Sequence, residues 1–290
     1  MNRSLAKSFG LTLPWSLTFL FIWLFPLGYA FVMGLTDFNL LRPDETNWVG
    51  FDNYRSLFSD EDFIKSLKNT FIFVIGTIPI TTVFALALAL FVNRTFKGRA
   101  LFRSACFLPS ITSMVVIALI FTNLYQRGGY IAGLCSLIGL TPPQHGFLFD
   151  RATALYSIMA MDVWMSVGYY MLIFLAGLKS IPDELYEAAD VNGAGFFRKL
   201  FSITLPLLRP VALFILVINT IKSFQIFVEI FVMTKGKFDT STVVYFIYEI
   251  GLTTTLQSGY ASAAAYILFG IIALFSLVQF ALLRRRQPLW

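Results

Sequence analysis

Six long apolar stretches limit what this chain can fold into. They lie at about 11–35, 66–92, 104–126, 152–178, 207–233 and 260–283, and an α-helix needs roughly 20 apolar residues to cross a bilayer. The composition agrees, since 57% of the residues are hydrophobic and only 13% are charged, about half the share of charge in soluble domains. We therefore predict an all-α polytopic membrane protein with six transmembrane helices, forming a single domain over residues 1–290.

The basic residues predict the orientation of these spans. Most of the 22 lysines and arginines lie in the N-terminal segment, the loops after spans two and four, and the C-terminal tail, whereas the other loops hold most of the acidic residues. Short loops rich in lysine and arginine stay on the cytoplasmic side of a membrane, so both termini are predicted to be cytoplasmic. The residues that carry this prediction are Arg3, Lys7, Arg94, Lys97, Arg99, Arg103, Lys179, Arg198, Lys199, Arg209, Arg284, Arg285 and Arg286.

The chain has no pattern typical of catalysis or of metal binding. Its two cysteines, Cys106 and Cys135, are too far apart for a metal or redox motif, and the single histidine, His145, lies in a proline-rich loop. The phosphate-binding pattern G-x-x-x-x-G-K-[ST] does not occur. We therefore predict that the chain is not an enzyme and holds no metal ion or cofactor of its own.

One segment between the fourth and fifth spans is amphipathic, ELYEAADVNGAGFFRKLFSITLPLLRP at residues 184–210. Ser180 and Asp183 fit an S-x-x-D helix cap, and acids fill the first turn, where the helix dipole favours them. Gly193 can end this helix and turn the chain, which predicts a helix-turn-helix over 180–206. Its acids and two alanines fit a protein partner better than a lipid surface, and both alternatives stay open.

At these residues the chain resembles a known family. Glu187-Ala188-Ala189, Gly193 and the Ile203-x-Leu205-Pro206 tail closely resemble the EAA signature of permease subunits in binding-protein-dependent ABC importers. The preceding LAGLKSIPDELYEAA at 175–189 resembles the carbohydrate-importing branch. Asn192 stands where the family usually has aspartate, which we expect to weaken one local contact. Further matching stretches are GFDNY at 50–54, LKNT at 67–70, ALFVNRTFKGRALFR at 89–103, FLPS at 107–110, VVYFIYE at 243–249 and GYASAAA at 259–265.

The resemblance implies a role for the helix-turn-helix and a set of partners. In that family this segment is the coupling helix, which docks in a groove of a cytoplasmic ATPase. The residues implied to couple are Glu184, Glu187, Ala188, Ala189, Gly193, Ile203, Leu205 and Pro206. The implied partners are a second homologous permease, two copies of the ATPase, which would bind ATP and Mg²⁺, and an extracytoplasmic sugar-binding protein. The implied location is the bacterial inner membrane.

Apart from Lys68 and Arg209, which lie within three residues of a span's end, three charged residues lie inside the predicted spans, namely Asp162, Lys222 and Glu229. A charge near the bilayer centre costs about 2.5–3.5 kcal/mol on insertion scales, so these side chains are expected to face a cavity or each other. An Asp162–Lys222 or Lys222–Glu229 ion pair would fix helix packing, and a polar lining would contact a solute. These alternatives can coexist.

Helical spacing groups these charges with other polar residues. Asn219, Lys222, Gln225 and Glu229 are predicted to share one face of the fifth span. Asp162, Ser166 and Tyr169 share a face of the fourth, and Tyr169 and Tyr170 are candidate stacking surfaces for sugar rings. The eight residues are predicted to form a path for a carbohydrate, and the charge of Lys222 favours an acidic carbohydrate. The resemblance supports this path, since related sugar importers build a solute site from these regions.

A self-sufficient secondary transporter or channel is the alternative function. It predicts an internal repeat with broken helices or a pore signature, and we identify neither in the sequence. An intramembrane enzyme would need a nucleophile–base pair or metal ligands within the spans, which a single histidine in a loop makes a poor fit.

Overall fold

The chain folds into helices joined by loops. The computed structural model describes residues 11–284, which contain no β-strand, so the predicted all-α fold is confirmed. Four terminal bases used to predict the orientation, Arg3, Lys7, Arg285 and Arg286, lie outside the described residues. The helices are α1 (Leu11–Gly34), α2 (Asp52–Leu57), α3 (Glu61–Asn93), α4 (Arg99–Ile111), α5 (Met114–Leu124), α6 (Tyr130–Leu137), α7 (Ala154–Lys179), α8 (Asp183–Val191), α9 (Phe196–Lys199), α10 (Leu205–Phe224), α11 (Val228–Met233), α12 (Val243–Tyr248) and α13 (Ser258–Arg284).

The long apolar helices correspond to the six predicted spans. Five stretches are long and apolar enough to cross a membrane, namely α1, α3, α7, most of α13 and the run Phe196–Met233. The sixth is the pair α4 and α5 taken together. The chain is therefore an all-α polytopic membrane protein.

The third predicted span, at 104–126, is not one straight helix. It is bent by 97° at the break between α4 and α5, and Pro109 lies inside α4. Proline cannot donate a backbone hydrogen bond to the preceding turn. At the bend, the hydroxyls of Ser110 and Thr112 donate to the carbonyls of Phe107 and Leu108 at 2.7 and 3.0 Å. These bonds satisfy backbone carbonyls near the bend. The hydrophobicity of the stretch alone does not predict the bend.

The fifth predicted span, at 207–233, is also interrupted. Helix α10 ends at Phe224, and residues 225–227 are non-helical before α11 begins. The carbonyl of Ile226 in this break accepts a bond from the Thr242 hydroxyl at 3.2 Å. The prediction that Glu229 shares a helical face with Asn219 and Lys222 is therefore wrong, because the two groups lie on different helices.

The described residues group into two compact units, and the prediction of a single domain stays a prediction. The first unit contains the chain up to Ile64 together with Phe246–Phe269. In it the Asn53 amide donates to the carbonyls of Gly34 and Thr36 at 3.0 and 2.8 Å. The Tyr260 hydroxyl donates to the Asp60 carboxylate at 2.9 Å. These bonds connect α1, α2 and the start of α13 within this unit.

The second unit, Lys65–Tyr245 with the chain from Gly270 onward, is built around α7. Of the 26 residues of α7, 17 are buried, so it is the central helix of this unit. Gly168 of α7 faces the backbone of α4 so closely that a Cβ there would lie 1.9 Å from the Cys106 carbonyl oxygen. Only glycine permits this approach. At the C-terminal end of α7, an added Cβ on Gly177 would lie 2.8 Å from the Val211 side chain and 2.9 Å from the Leu208 side chain of α10.

Candidate functional site

The start of the helix-turn-helix differs from the predicted cap. The Ser180 hydroxyl donates backward to the Gly177 carbonyl at 2.7 Å and not to the backbone of α8. The predicted S-x-x-D cap is therefore wrong, because Ser180 keeps helical geometry as the C-cap residue directly after α7 and its side chain satisfies a carbonyl at that helix end. Helix α8 begins after Pro182, with Asp183 and Glu184 in its first turn, as the helix dipole favours.

The turn at Gly193 has the geometry that the sequence predicts. Gly193 adopts a left-handed φ of +69°, and its N–H donates to the Asp190 carbonyl at 2.9 Å, while the Ala194 N–H donates to Ala189 at 2.9 Å. This pair of bonds is a Schellman motif, which satisfies carbonyls at a helix end. The Asn192 amide donates to the Ala188 carbonyl at 2.8 Å. A carboxylate could not make that bond, so at this contact Asn192 adds a bond that aspartate would lack.

Two side-chain contacts hold the arms of the helix-turn-helix together. The Lys199 ammonium lies 2.6 Å from the Asp190 carboxylate, and the hydroxyls of Tyr186 and Thr204 are 2.9 Å apart. Thr204 is buried, and Tyr186 packs against the apolar cluster formed by α3, α7 and α10. The Arg94 guanidinium lies 5.5 Å from the centre of the Phe196 ring. The segment is thus tied at several points to the rest of this unit.

One face of α8 remains exposed. Glu184, Glu187 and Ala188 are exposed, and Ala189 is partly buried. Val191 at the end of the helix is also exposed. Of the other predicted coupling residues, Gly193 is exposed in the turn, and Ile203, Leu205 and Pro206 are partly buried where the chain enters α10. The exposed face therefore combines two carboxylates with small and apolar side chains.

A charged pair connects α7 and α10 in the membrane-spanning part of the second unit. The Lys222 ammonium lies 2.9 Å from the Asp162 carboxylate and donates to the Ser166 hydroxyl at 2.6 Å. The Asp162 side chain is 3% exposed and that of Lys222 is 42% exposed. The predicted Asp162–Lys222 ion pair is therefore confirmed. Within residues 11–284, Lys222 forms no ion pair with Glu229.

Lys222 and Ser166 line a cavity of about 280 Å³. Tyr169 lies on its wall with 44% of its surface exposed, whereas Tyr170 is 1% exposed. The Tyr170 ring packs in the core of the unit, so it offers no free face for stacking, contrary to the prediction. The two rings meet edge to face, with their centres 5.2 Å apart. The full lining is Ser110, Met114, Met165, Ser166, Tyr169, Tyr170, Ile218 and Lys222.

The structure separates the eight predicted path residues into those at the cavity and those elsewhere. The cavity is lined by Ser166, Tyr169, Tyr170 and Lys222. Asp162 does not line it but contacts Ser166 and Lys222. Asn219, Gln225 and Glu229 are not among the lining residues. Asn219 and Glu229 are buried, and Gln225 is exposed in the helix break.

Sequence reasoning missed four lining residues, and two of them, Ser110 and Met114, flank the bend between α4 and α5. The proline of FLPS inside an apolar stretch is the signal that could have located them, because a kinked helix brings polar backbone and side chains to a cavity. Met165 and Ile218, also in the lining, carry no such signal.

Comparisons with known proteins agree with this architecture. A family model described as "Binding-protein-dependent transport system inner membrane component" matches residues 77–287. The probable ABC transporter permease protein YesP of Bacillus subtilis is 34% identical over 289 residues, covering 96% of this chain and 92% of the relative. The arabinooligosaccharides transport system permease protein AraP of the same organism is 32% identical over 281 residues, covering 96% and 88%.

A solved structure shows the same fold. It is that of a bacterial ABC transporter involved in the import of the acidic polysaccharide alginate, and it aligns with a TM-score of 0.85 at 24% identity, covering 99% of this chain and 100% of that chain. The family match includes the helix-turn-helix, the cavity, the second half of α3 and every later span. The chain therefore belongs to the family of inner membrane components of binding-protein-dependent transport systems.

Proposed function

We propose that this chain is the permease subunit of an ATP-driven importer and moves a carbohydrate that an extracytoplasmic binding protein delivers. The observation that carries the coupling part is the exposed face of α8. It presents Glu187 beside Ala188 on a short helix whose end is fixed by a Schellman turn. Small residues permit close approach of a partner, and a carboxylate can anchor it through a charge-assisted hydrogen bond.

The proposed assembly contains several subunits. Two copies of a cytoplasmic ATPase would bind ATP and Mg²⁺ and would dock on α8 and its equivalent in a second, homologous permease. Six spans are too few to enclose an alternating path alone, which supports the second permease. We place the complex in the bacterial inner membrane with both termini of this chain in the cytoplasm, because the basic residues favour that orientation.

The chemistry of the cavity supports a carbohydrate. A lysine ammonium has three N–H donors, and Lys222 uses two of them for Asp162 and Ser166. The third is available to an oxygen acceptor in the cavity that Lys222 lines. The exposed Tyr169 ring supplies an apolar face for stacking. Hydroxyl acceptors and apolar ring faces are what a sugar presents, and the relative AraP is a permease protein of an arabinooligosaccharides transport system.

The ion pair changes the expectation about solute charge. An unpaired lysine would favour an acidic solute, but the Asp162 carboxylate at 2.9 Å already balances Lys222. An added solute carboxylate would leave a net negative group in this low-dielectric site, which is unfavourable. We therefore propose a neutral sugar, and uptake measured with matched neutral and acidic oligosaccharides tests this choice.

Charge reversal at Glu187 tests the coupling role. In the assembled transporter, Glu187→Lys should abolish solute-stimulated ATP hydrolysis, because it replaces the exposed anchor without touching a buried group. Glu187→Asp is the matched control, since it keeps a carboxylate on the exposed face of α8 and should retain the stimulation. Thermal unfolding checks that both variants remain folded. Wild-type stimulation in the Glu187 variant would contradict the proposal.

A further inference from the structure

A second polar cluster lies in the interior of the second unit, apart from the cavity. It is formed where α3, α10 and the inner half of α13 meet, and we call it the polar seam. Thr77, Thr81, Asn219 and Ser223 in it are buried almost completely. Its seven side chains are Thr77, Thr81, Asn219, Thr220, Ser223, Ser276 and Gln279.

Direct hydrogen bonds link the three helices at the seam. The hydroxyls of Thr77 and Ser223 are 3.5 Å apart, and the Ser223 hydroxyl donates to the Asn219 carbonyl oxygen at 3.4 Å. The Gln279 amide donates to the Thr220 hydroxyl at 2.7 Å. The Ser223–Asn219 bond lies within α10. Between helices the seam therefore has one long contact, Thr77–Ser223, and one bond of ordinary length, Gln279–Thr220.

Four polar atoms of the seam have no partner among the protein groups of the described residues. They are Thr81 Oγ1, Asn219 Nδ2, Ser276 Oγ and Gln279 Oε1, and each atom is buried. Asn219 as a residue is only 1% exposed. A buried polar group without a hydrogen bond is strongly unfavourable in an apolar interior, and four in one region require an explanation.

The register of the helices brings these atoms to similar depths. Ala85 and Ala89 of α3 share an apolar cluster with the inner half of α7, and α7 meets α10 at its inner end through Gly177. Helix α10 therefore runs opposite to α3. The Thr77–Ser223 contact then places Thr81, one turn inward on α3, level with Asn219, one turn inward on α10.

Aromatic rings close one end of the seam. Phe71, Phe224 and Phe275 lie on α3, α10 and α13, and their ring centres are 5.3 to 5.8 Å apart in all three pairs. They lie one to two turns outward of Thr77 on α3 and at the outer end of α10. An apolar cluster therefore covers the polar residues of the seam on this side.

We propose that the polar seam binds ordered water molecules, which complete the hydrogen bonds between these three spans. A buried water needs two to four polar partners, and the seam supplies unpaired donors and acceptors together. The Asn219 N–H₂ group donates and the Gln279 carbonyl oxygen accepts, while the hydroxyls of Thr81 and Ser276 can do either. Water can satisfy all four, because it both donates and accepts hydrogen bonds.

Removing single hydroxyls from the assembled transporter tests the proposal. Thr81→Val keeps the shape of the side chain and removes one partner of the water, so Tm should fall by about 2–4 °C. If the seam is dry, the same change removes an unpaired buried hydroxyl and Tm should rise. Ser276→Ala should change Tm in the same direction as Thr81→Val. It serves as the test variant if Thr81→Val fails to fold.

A control and a direct observation complete the test. Thr70→Val removes a hydroxyl that is bonded directly to Ser66 and Val243, so Tm should fall in either case. Cryo-electron microscopy of the wild-type complex, at a resolution that shows ordered water, should reveal density within hydrogen-bond distance of Asn219. Absent density, or a rise of Tm in both seam variants, overturns the proposal. A Tm that depends on sodium in the wild type and not in Thr81→Val would assign a cation in place of water.

Discussion

Replacing Lys222 by methionine removes the cation from a buried ion pair and keeps the length of the side chain. Asp162 is 3% exposed and has Lys222 as its charged partner at 2.9 Å. Breaking a buried pair by removing one member costs about 3–5 kcal/mol, because the other charge remains buried and uncompensated. Lys222 itself is 42% exposed, and solvent weakens such a pair. We therefore expect Lys222→Met to lower the free energy of unfolding by about 3 kcal/mol, the low end of that range.

Thermal unfolding of the purified, assembled transporter measures this loss. Since 1 kcal/mol shifts Tm by about 2–4 °C for chains of 150–250 residues, Lys222→Met should lower Tm by about 6–12 °C. The double variant Lys222→Met with Asp162→Asn should recover most of the loss, because replacing both members leaves no stranded charge from this pair. The coupling between the two sites then follows from a double-mutant cycle.

An exposed ion pair provides the matched control. Arg42 and Glu45 lie 3.5 Å apart with 73% and 71% of their side chains exposed, so Arg42→Met should cost less than about 1 kcal/mol. The reasoning fails if Lys222→Met is no more destabilising than Arg42→Met. It also fails if the double variant is as unstable as the single one, because the loss would then not come from a stranded carboxylate.

Two glycines give further tests, each with a control glycine that has a negative φ and no heavy atom within 4 Å of an added Cβ. Gly193→Ala should cost about 1–2 kcal/mol, because its φ of +69° is strained for alanine although nothing lies within 4 Å of the new Cβ. Gly195→Ala should be close to neutral by the same melting measurement, since Gly195 has a φ of −69°. Gly168→Ala should cost about 3 kcal/mol or more, because the Cβ would overlap a backbone carbonyl of the facing helix. Gly270→Ala should be tolerated. An equal Tm for Gly168→Ala and Gly270→Ala would show that α4 and α7 can separate at little cost.

The sequence predicted the spans and the turn at Gly193 because length, apolarity and glycine chemistry are local properties. The 97° bend between α4 and α5 and the break at residues 225–227 escaped prediction, because their stability depends on partners from elsewhere. The Ile226 carbonyl, for example, depends on Thr242, 16 residues away. The Asp162–Lys222 pair was predictable from depth along two helices, whereas the burial of Tyr170 depends on tertiary packing.

The π-helical turn at Leu200–Thr204, between α9 and α10, affects how the chain tolerates changes in length. A π turn holds one residue more than an α-helical turn, so the helical faces on either side stay aligned although the sequence is one position longer. Deleting one residue from this turn would convert it to an ordinary α-helical turn. Such a deletion would keep the orientation of α8 relative to the fifth span. The same deletion inside α10 would rotate the residues beyond it about the helix axis by about 100°.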